Sequence, residues 1–302
     1  DGELMWVDYN KDGYIDLIVS GLNANNEPST TIYENINGDT FSPSTQLTLP
    51  DLFSSSMDSG DFDNDGDIDI ALNGLDAESV WRKYIYLREG TQLLPVEDYN
   101  SQFNSDNGAE SGIVKIADFK LDGDQDLYVF GQSNSRLKTN TYINDTSDNN
   151  SWFNDNLPQM SEGSVAVFGD YIYVMGEQSG NLIIRRSSLS NSNNNDWNEF
   201  GAIGLKNGDI AIGDYNNDGL EDILVTGENS TGDAITKLYD GVIYPNVPYG
   251  GFTENTDHDI LGLRASTAKW VDYDSDGDLD LFITGVNDDG EFVKLYKTNL
   301  LN

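Results

Sequence analysis

Apolar and polar residues alternate along this chain in short runs that recur from end to end. LMWVDY (4–9), GIVKIADF (112–119) and AKWVDY (268–273) put an apolar side chain at roughly every second position, the period of a strand with one buried face. A near-continuous apolar run follows each time: IDLIVSG, IDIALNG, DLYVFG, YIYVMG, DILVTG and DLFITG. Such runs read as strands covered on both faces. A third set comprises TTIYENI (30–36), KYIYLRE (83–89), NTYIN (140–144), NLIIRRS (181–187), TKLYDG (236–241) and FVKLYKT (292–298). A weaker fourth run is led by Phe41, Trp152, Trp197 or Phe252. Apolar residues at helical spacing are missing, so the expectation is an all-β chain.

Between the first and second runs lies a repeated motif. D-x-[DN]-x-D-G-x-x-D occurs at 8–16, 61–69, 214–222 and 272–280, and a fifth copy at 118–126 carries Lys120 in third place. In all five copies a glycine stands thirteen residues after the first Asp: Gly21, Gly74, Gly131, Gly227 and Gly285. The long interval between Gly131 and Gly227 predicts a hidden copy ending at Gly176, whose acidic loop is lost and whose strands join through Phe168-Gly169-Asp170. Four short strands in each repeat of about 50 residues is the pattern of a propeller blade. The prediction is one β-propeller domain over 1–302, with units near 1–52, 53–109, 110–160, 161–204, 205–263 and 264–302. That makes about six visible four-stranded antiparallel blades, six or seven in the full ring. The sixth unit ends after its third strand near Thr298 and the first begins with a first strand at Glu3, so a missing strand or a seventh blade is expected beyond these residues.

The motif predicts oxygen-rich loops. Side chains at positions 1, 3 and 5 face one side of a tight turn, glycine at 6 permits the reversal, position 7 offers a carbonyl, and Asp at 9 closes the cage. The candidate ligands are Asp8, Asn10, Asp12, Tyr14 and Asp16; Asp61, Asp63, Asp65, Asp67 and Asp69; Asp214, Asn216, Asp218, Leu220 and Asp222; and Asp272, Asp274, Asp276, Asp278 and Asp280. Many hard oxygen donors in a flexible loop suit Ca²⁺ better than Mg²⁺, which demands a stricter octahedron. Crowded like charges also call for a counterion. Four structural calcium sites are therefore expected. At the fifth loop two outcomes are open: Asp118, Asp122, Asp124 and Asp126 hold a fifth calcium, or the ammonium of Lys120 takes the ion's place. An EF-hand closes with Glu at position 12 between helices, and this motif does not.

Charge and composition narrow the function. Fifty-three acidic residues against 16 basic ones leave a net charge of −37, which disfavours nucleic acid, because phosphate affinity rests on clustered Lys and Arg. No Cys is present, and His258 is the sole histidine, so thiol chemistry, Cys-ligated zinc and His-rich metal sites are excluded. No apolar stretch approaches the ~18 residues of a membrane helix, so membrane insertion is not expected. A chain that is 37 % hydrophobic can still fill a core.

TAKWVDYDSDGDLDLFITG (267–285) and SSMDSGDFDNDGDIDIALNG (55–74) resemble the FG-GAP/VCBS repeats of secreted bacterial proteins, and the same loop type occurs in integrin alpha propellers. The literal Phe-Gly and Gly-Ala-Pro strings of the integrin version are not reproduced. The resemblance implies calcium in the loops joining first and second strands, ligands on the opposite face, and a secreted or cell-surface setting. Family members include adhesins, lectins and propellers attached to enzymes, among them polysaccharide lyases, so the resemblance speaks to fold and metal more than to activity.

Candidate sites outside the loops are sparse. Strand alternation puts the Asn-rich segments 144–156 and 190–198 on the calcium face. The loops 22–29, 75–80, 97–111, 132–137, 228–233, 253–264 and 286–291 fall on the other. Arg82, Arg88, Arg136, Arg185, Arg186 and Arg264 could neutralise a uronate for a lyase, but no spacing ties them to a tyrosine or to His258, which reads as a solvated loop residue. Trp6 and Trp270, each two residues before a loop, read as packing between blades. Trp81, Trp152 and Trp197 read the same way, with stacking on a sugar as the rival role. Asn144, Asn149 and Asn229 begin N-x-S/T strings that matter only in a eukaryotic secretory setting. The functional expectation is a non-catalytic extracellular calcium-binding propeller, an adhesion or ligand-binding module for a glycan or protein partner within a larger chain or surface complex. The alternatives are a polysaccharide-active enzyme, lyase-type, or its accessory domain, and a structural spacer of a large surface protein.

Overall fold

In the computed structural model the described residues are all except 1, 39, 46, 91, 96–109, 120, 134–135, 144–150, 154–159, 190–196, 244–249, 274–275 and 299–302. The alternating runs form six antiparallel sheets, each a meander of strands consecutive in the chain. Sheet 1 is β1 (Glu3–Val7), β2 (Asp16–Leu22), β3 (Pro28–Ile36) and β4 (Thr40–Pro43); sheet 2 is β5 (Phe53–Gly60), β6 (Asp69–Leu75), β7 (Trp81–Glu89) and β8 (Gln92–Pro95). Sheet 3 is β9 (Glu110–Ala117), β10 (Asp126–Ser133), β11 (Arg136–Ile143) and β12 (Ser151–Phe153); sheet 4 is β13 (Ser161–Phe168), β14 (Tyr171–Gln178) and β15 (Asn181–Ser188). Sheet 5 is β16 (Lys206–Gly213), β17 (Asp222–Glu228), β18 (Ala234–Val242) and β19 (Gly251–Asn255); sheet 6 is β20 (Arg264–Val271), β21 (Asp280–Asn287) and β22 (Gly290–Tyr296). No helix occurs among the described residues, and hence none long and apolar enough to cross a membrane. The chain divides into two compact units, Asp1–Asp155 with sheets 1 to 3 and Asn156–Asn302 with sheets 4 to 6.

Why the second run of each repeat is apolar throughout is visible in the packing. Along β6, Ile70 and Leu72 point into a core shared with Met5, Ile18 and Ile32 of sheet 1, whereas Ala71 between them joins Val114, Leu127 and Val129 of sheet 3. In the second unit, Ile223 and Val225 pack against Tyr173, Met175 and Ile184 of sheet 4, while Leu224 meets Ala268, Leu281 and Ile283 of sheet 6. A strand between two layers has no solvent face, so its period-2 signal disappears. Each fully buried Leu or Ile adds about 1.5–3 kcal/mol. First strands of adjacent sheets also hydrogen-bond through side chains: Ser56 Oγ accepts from Val114 N at 3.1 Å, and Ser164 Oγ from Ile210 N at 3.2 Å. Polar residues in these strands thus serve the junction between sheets.

One expectation needs correction. The run led by Trp197 forms only an isolated bridge, Arg186 to Asn198, so sheet 4 has three strands among the described residues. Sheet 2 has the expected fourth strand, Gln92–Pro95, without the aromatic lead of the other fourth runs. The loss of the fourth acidic loop is as expected, with β13 and β14 joined by a two-residue turn at Gly169 and Asp170.

Candidate metal centre

Each acidic loop connects the first and second strands of its sheet. Antiparallel order places it at the same end as the connection between third and fourth strands. Glycine at position 6 is required for its backbone: Gly13, Gly66, Gly123, Gly219 and Gly277 have φ between +84° and +97°, where a Cβ is disfavoured. The first Asp holds the turn through backbone donors. Asp8 accepts from Asp12 N (3.1 Å) and Gly13 N (3.0 Å), Asp118 from Asp122 N and Gly123 N, Asp214 from Asp218 N and Gly219 N, and Asp272 from Asp276 N and Gly277 N.

The ninth position sits beneath the loop. Asp16, Asp69, Asp126, Asp222 and Asp280 are buried. Asp69 accepts from Phe62 N at 2.7 Å and, with its other oxygen, from Arg88 N at 2.8 Å on β7. Asp16 binds Tyr9 N and Asn35 N in the same way, and Asp222 binds Tyr215 N and Gly241 N. Asp126 receives Phe119 N, and Asp280 receives Thr298 N. This carboxylate therefore ties the loop's entry to the third strand, a role the motif alone did not reveal. Desolvation pushes Asp16, Asp69 and Asp222 up to about 6, against the backbone donors that favour the charged form.

The loop at 61–69 differs from its sisters. Asp61 accepts from Gly66 N at 3.0 Å through Oδ2, whereas its buried Oδ1 has no hydrogen-bond partner among the described residues. Asp61, Asp63 and Asp65 each bring a carboxylate oxygen within 4.8 Å of the others. Burial, then the charges of Asp65 and Asp61, push the Asp63 carboxyl above its usual range, as expected where like charges converge. An orphaned buried oxygen beside two further hard donors fits a divalent cation such as Ca²⁺. At 8–16 and 214–222 the third position is Asn, and the oxygens of Asn10 and Asn216 accept from Asp12 N and Asp218 N at 2.9 Å. Asp274, third in the loop at 272–280, and Lys120 lie outside the described residues, as does Asn149 with most of the two Asn-rich segments.

Side chains elsewhere are engaged in the fold. Arg186 is buried, its guanidinium 5.2–5.6 Å from the ring centres of Tyr171, Phe200 and Phe252. Arg88 is buried with Nε on Gly90 O at 2.7 Å, Arg82 pairs with Asp76 at 2.7 Å, and Arg264 with Asp288 at 3.3 Å. His258 Nδ1 accepts from its own loop, Ile260 N, at 3.3 Å. Trp270 stacks on Tyr215 of the preceding sheet, with ring centres 5.4 Å apart, and lies against Gly213, where an added Cβ would meet it at 3.2 Å. Trp6 meets Phe41 of its own sheet edge-on at 5.9 Å.

At the opposite end of the sheets a second motif recurs that sequence reading missed. An Asn or Asp two residues after the repeat glycine caps the turn: Asn23, Asp76, Asn229 and Asn287 each accept backbone N–H groups from the residues that follow. Its signal was the recurrent G-x-[ND] string.

A family model described as an FG-GAP-like repeat matches residues 8–72, so this part of the chain carries an FG-GAP-like repeat. No curated protein matches the chain. Among solved structures, it resembles the fungal lectin of Aleuria aurantia, described as a six-bladed β-propeller with a novel fucose recognition mode, at 10 % identity and a TM-score of 0.52, over 97 % of this chain and 94 % of that one. AofleA of Arthrobotrys oligospora is similar at 11 % identity and a TM-score of 0.54, over 98 % and 83 %. A Trypanosoma rangeli sialidase in complex with a difluorinated keto-deoxy-nononic acid is similar at 12 % identity and a TM-score of 0.51, over 97 % of this chain but 53 % of that one. At such identities the likeness shows the fold: an all-β propeller.

Proposed function

We propose that this chain is a non-catalytic, calcium-binding propeller of six blades, one per sheet, that binds a glycan on an extracellular surface, secreted or cell-bound. Protein partners and a larger surface assembly belong to the same reading. The observation that supports calcium most directly is the Asp61–Asp63–Asp65 convergence with its unpartnered Asp61 Oδ1. The residues that would hold the ion are those of the loops at 8–16, 61–69, 214–222 and 272–280. Bound there, the ion would neutralise the loop and brace it. The likeness to fucose-recognising propellers supports a sugar ligand, and a net charge of −37 favours a neutral sugar over a sialylated or uronate one.

The sialidase likeness supports the enzyme reading, but four described arginines are already committed: Arg186 to aromatic rings, Arg88 to a carbonyl, and Arg82 and Arg264 to carboxylates. The binding reading is preferred on that ground. The test pairs calcium titration of chelator-stripped protein with a glycan array read with and without calcium. Stoichiometric uptake and retention of neutral, fucose-type glycans support the proposal. Absence of uptake removes the metal, and turnover of a glycan removes the non-catalytic reading.

A further inference from the structure

Neighbouring acidic loops are tied to one another, and the ties obey one rule. Position 4 stands in left-handed backbone at Lys11, Asn64 and Asn217 (φ 58°, 60° and 56°). From there each side chain reaches the next loop in the chain. Lys11 Nζ donates to Gly66 O at 2.6 Å and to the Asp67 carboxylate, Asn64 Nδ2 to Asp124 Oδ1 at 2.7 Å, and Asn217 Nδ2 to Asp278 Oδ1 at 2.8 Å. Each tie ends on the carboxylate at position 7, and Lys11 adds the carbonyl of position 6, Gly66. Donor and acceptor also vanish where a tie has no use. Leu220 occupies position 7 in the loop that follows the loopless fourth repeat, and Leu121 occupies position 4 in the loop that precedes it.

Taking the calcium reading above as its basis, we infer that these bonds couple ion binding between adjacent loops in two pairs, 8–16 with 61–69 and 214–222 with 272–280, while the tie from Asn64 to Asp124 braces the second loop against a neighbour outside the four proposed ion sites. Position 7 is the residue whose carbonyl the motif offers to the ion. A loop braced by its own ion holds position 4 still, and position 4 then holds the neighbour's position 7 in place. Ordering spent at the first loop is not spent again at the second, which makes the coupling positive. Lys11 and Asn217 are positioning residues for a site that is not their own.

The pair Asn217–Asp278 gives the sharpest test, because both of its loops are among the four candidate calcium sites. Calcium is titrated into the intact chain while the amide resonances of Gly219 and Gly277 report the two loops separately. Asp214→Asn, which disables the first loop, is expected to raise the calcium concentration that half-saturates Gly277 about five-fold or more. Asn217→Ala alone should produce the same weakening, and adding Asp214→Asn to it should then change nothing. Asp278→Ala breaks the bond from the other side and keeps the carbonyl, so it must reproduce the effect. Leu121→Ala, which touches no tie, should leave both resonances unchanged. Calcium uptake at Gly277 that ignores Asp214→Asn, or a response that survives Asn217→Ala, overturns the coupling while leaving the calcium reading intact. No calcium response at either glycine overturns both.

Discussion

The second and fourth repeats build the same sheet core with different connections. In the second, an eight-residue acidic loop (61–68) joins β5 to β6, and the buried Asp69 at the start of β6 ties that loop to Arg88 N on the third strand. In the fourth, a two-residue turn joins β13 to β14, and Leu189 N after the third strand bonds instead to the backbone carbonyl of Asp170 at 2.8 Å. The fold thus needs an acceptor at that point, and either a carboxylate or a peptide group supplies it. It does not need positions 1, 3 and 5, which the fourth repeat lacks without losing its buried second strand. What the acidic loop adds is therefore unrelated to sheet formation, and the ninth Asp must be judged apart from the first three.

The largest effect that separates the two roles is expected from Asp69→Ala. It strands two buried N–H groups, Phe62 and Arg88, at a cost of about 2–5 kcal/mol, measurable by urea unfolding in chelator as well as in calcium. A loss seen only in calcium would make Asp69 a ligand and nothing more. Next comes metal removal: excess chelator should lower Tm, each site contributing roughly 0.5–1.5 kcal/mol at millimolar calcium. A melt indifferent to chelator would sink the metal reading.

Acidity sharpens the contrast. Asp16, Asp69 and Asp222 titrate near 6 in the fold, above the usual ~3.9 of an unfolded chain. The fold therefore binds protons more tightly, and in chelator stability should rise as pH falls from 7 through 6 and level off below about 4. In calcium the slope should flatten or reverse, because protons compete with the ion. Identical slopes in the two buffers would count against calcium. A smaller effect is expected from Asp63→Asn: one calcium equivalent lost in titration calorimetry, with the chelated protein no less stable. Smallest of all, Asp170→Ala should shift stability by less than about 0.5 kcal/mol, since only the carbonyl of this exposed residue is used.

Much of this was legible in the residues. The glycine register exposed the repeat, the doubly apolar runs marked the strands between layers, and the interval ending at Gly176 gave away a repeat without its loop. QLLP at 92–95 gave no signal of its own because an exposed edge strand needs no apolar face, and Trp197 misled because an aromatic side chain can pack without its backbone joining a ladder.

Local chemistry by itself determined the sheets and the acidic turns, because both depend on residues close together in sequence: period-2 alternation, a glycine at positive φ, and carboxylates two residues apart. Only the tertiary structure decided which carboxylate does what. Asp69 and Asp61 are alike as letters. One lies beneath its loop facing two backbone donors 7 and 19 residues away, and the other keeps an oxygen with no partner among the described residues. The same holds for Asn217, whose partner Asp278 is 61 residues distant. Contacts at that range are set by how the sheets pack, which no local pattern encodes.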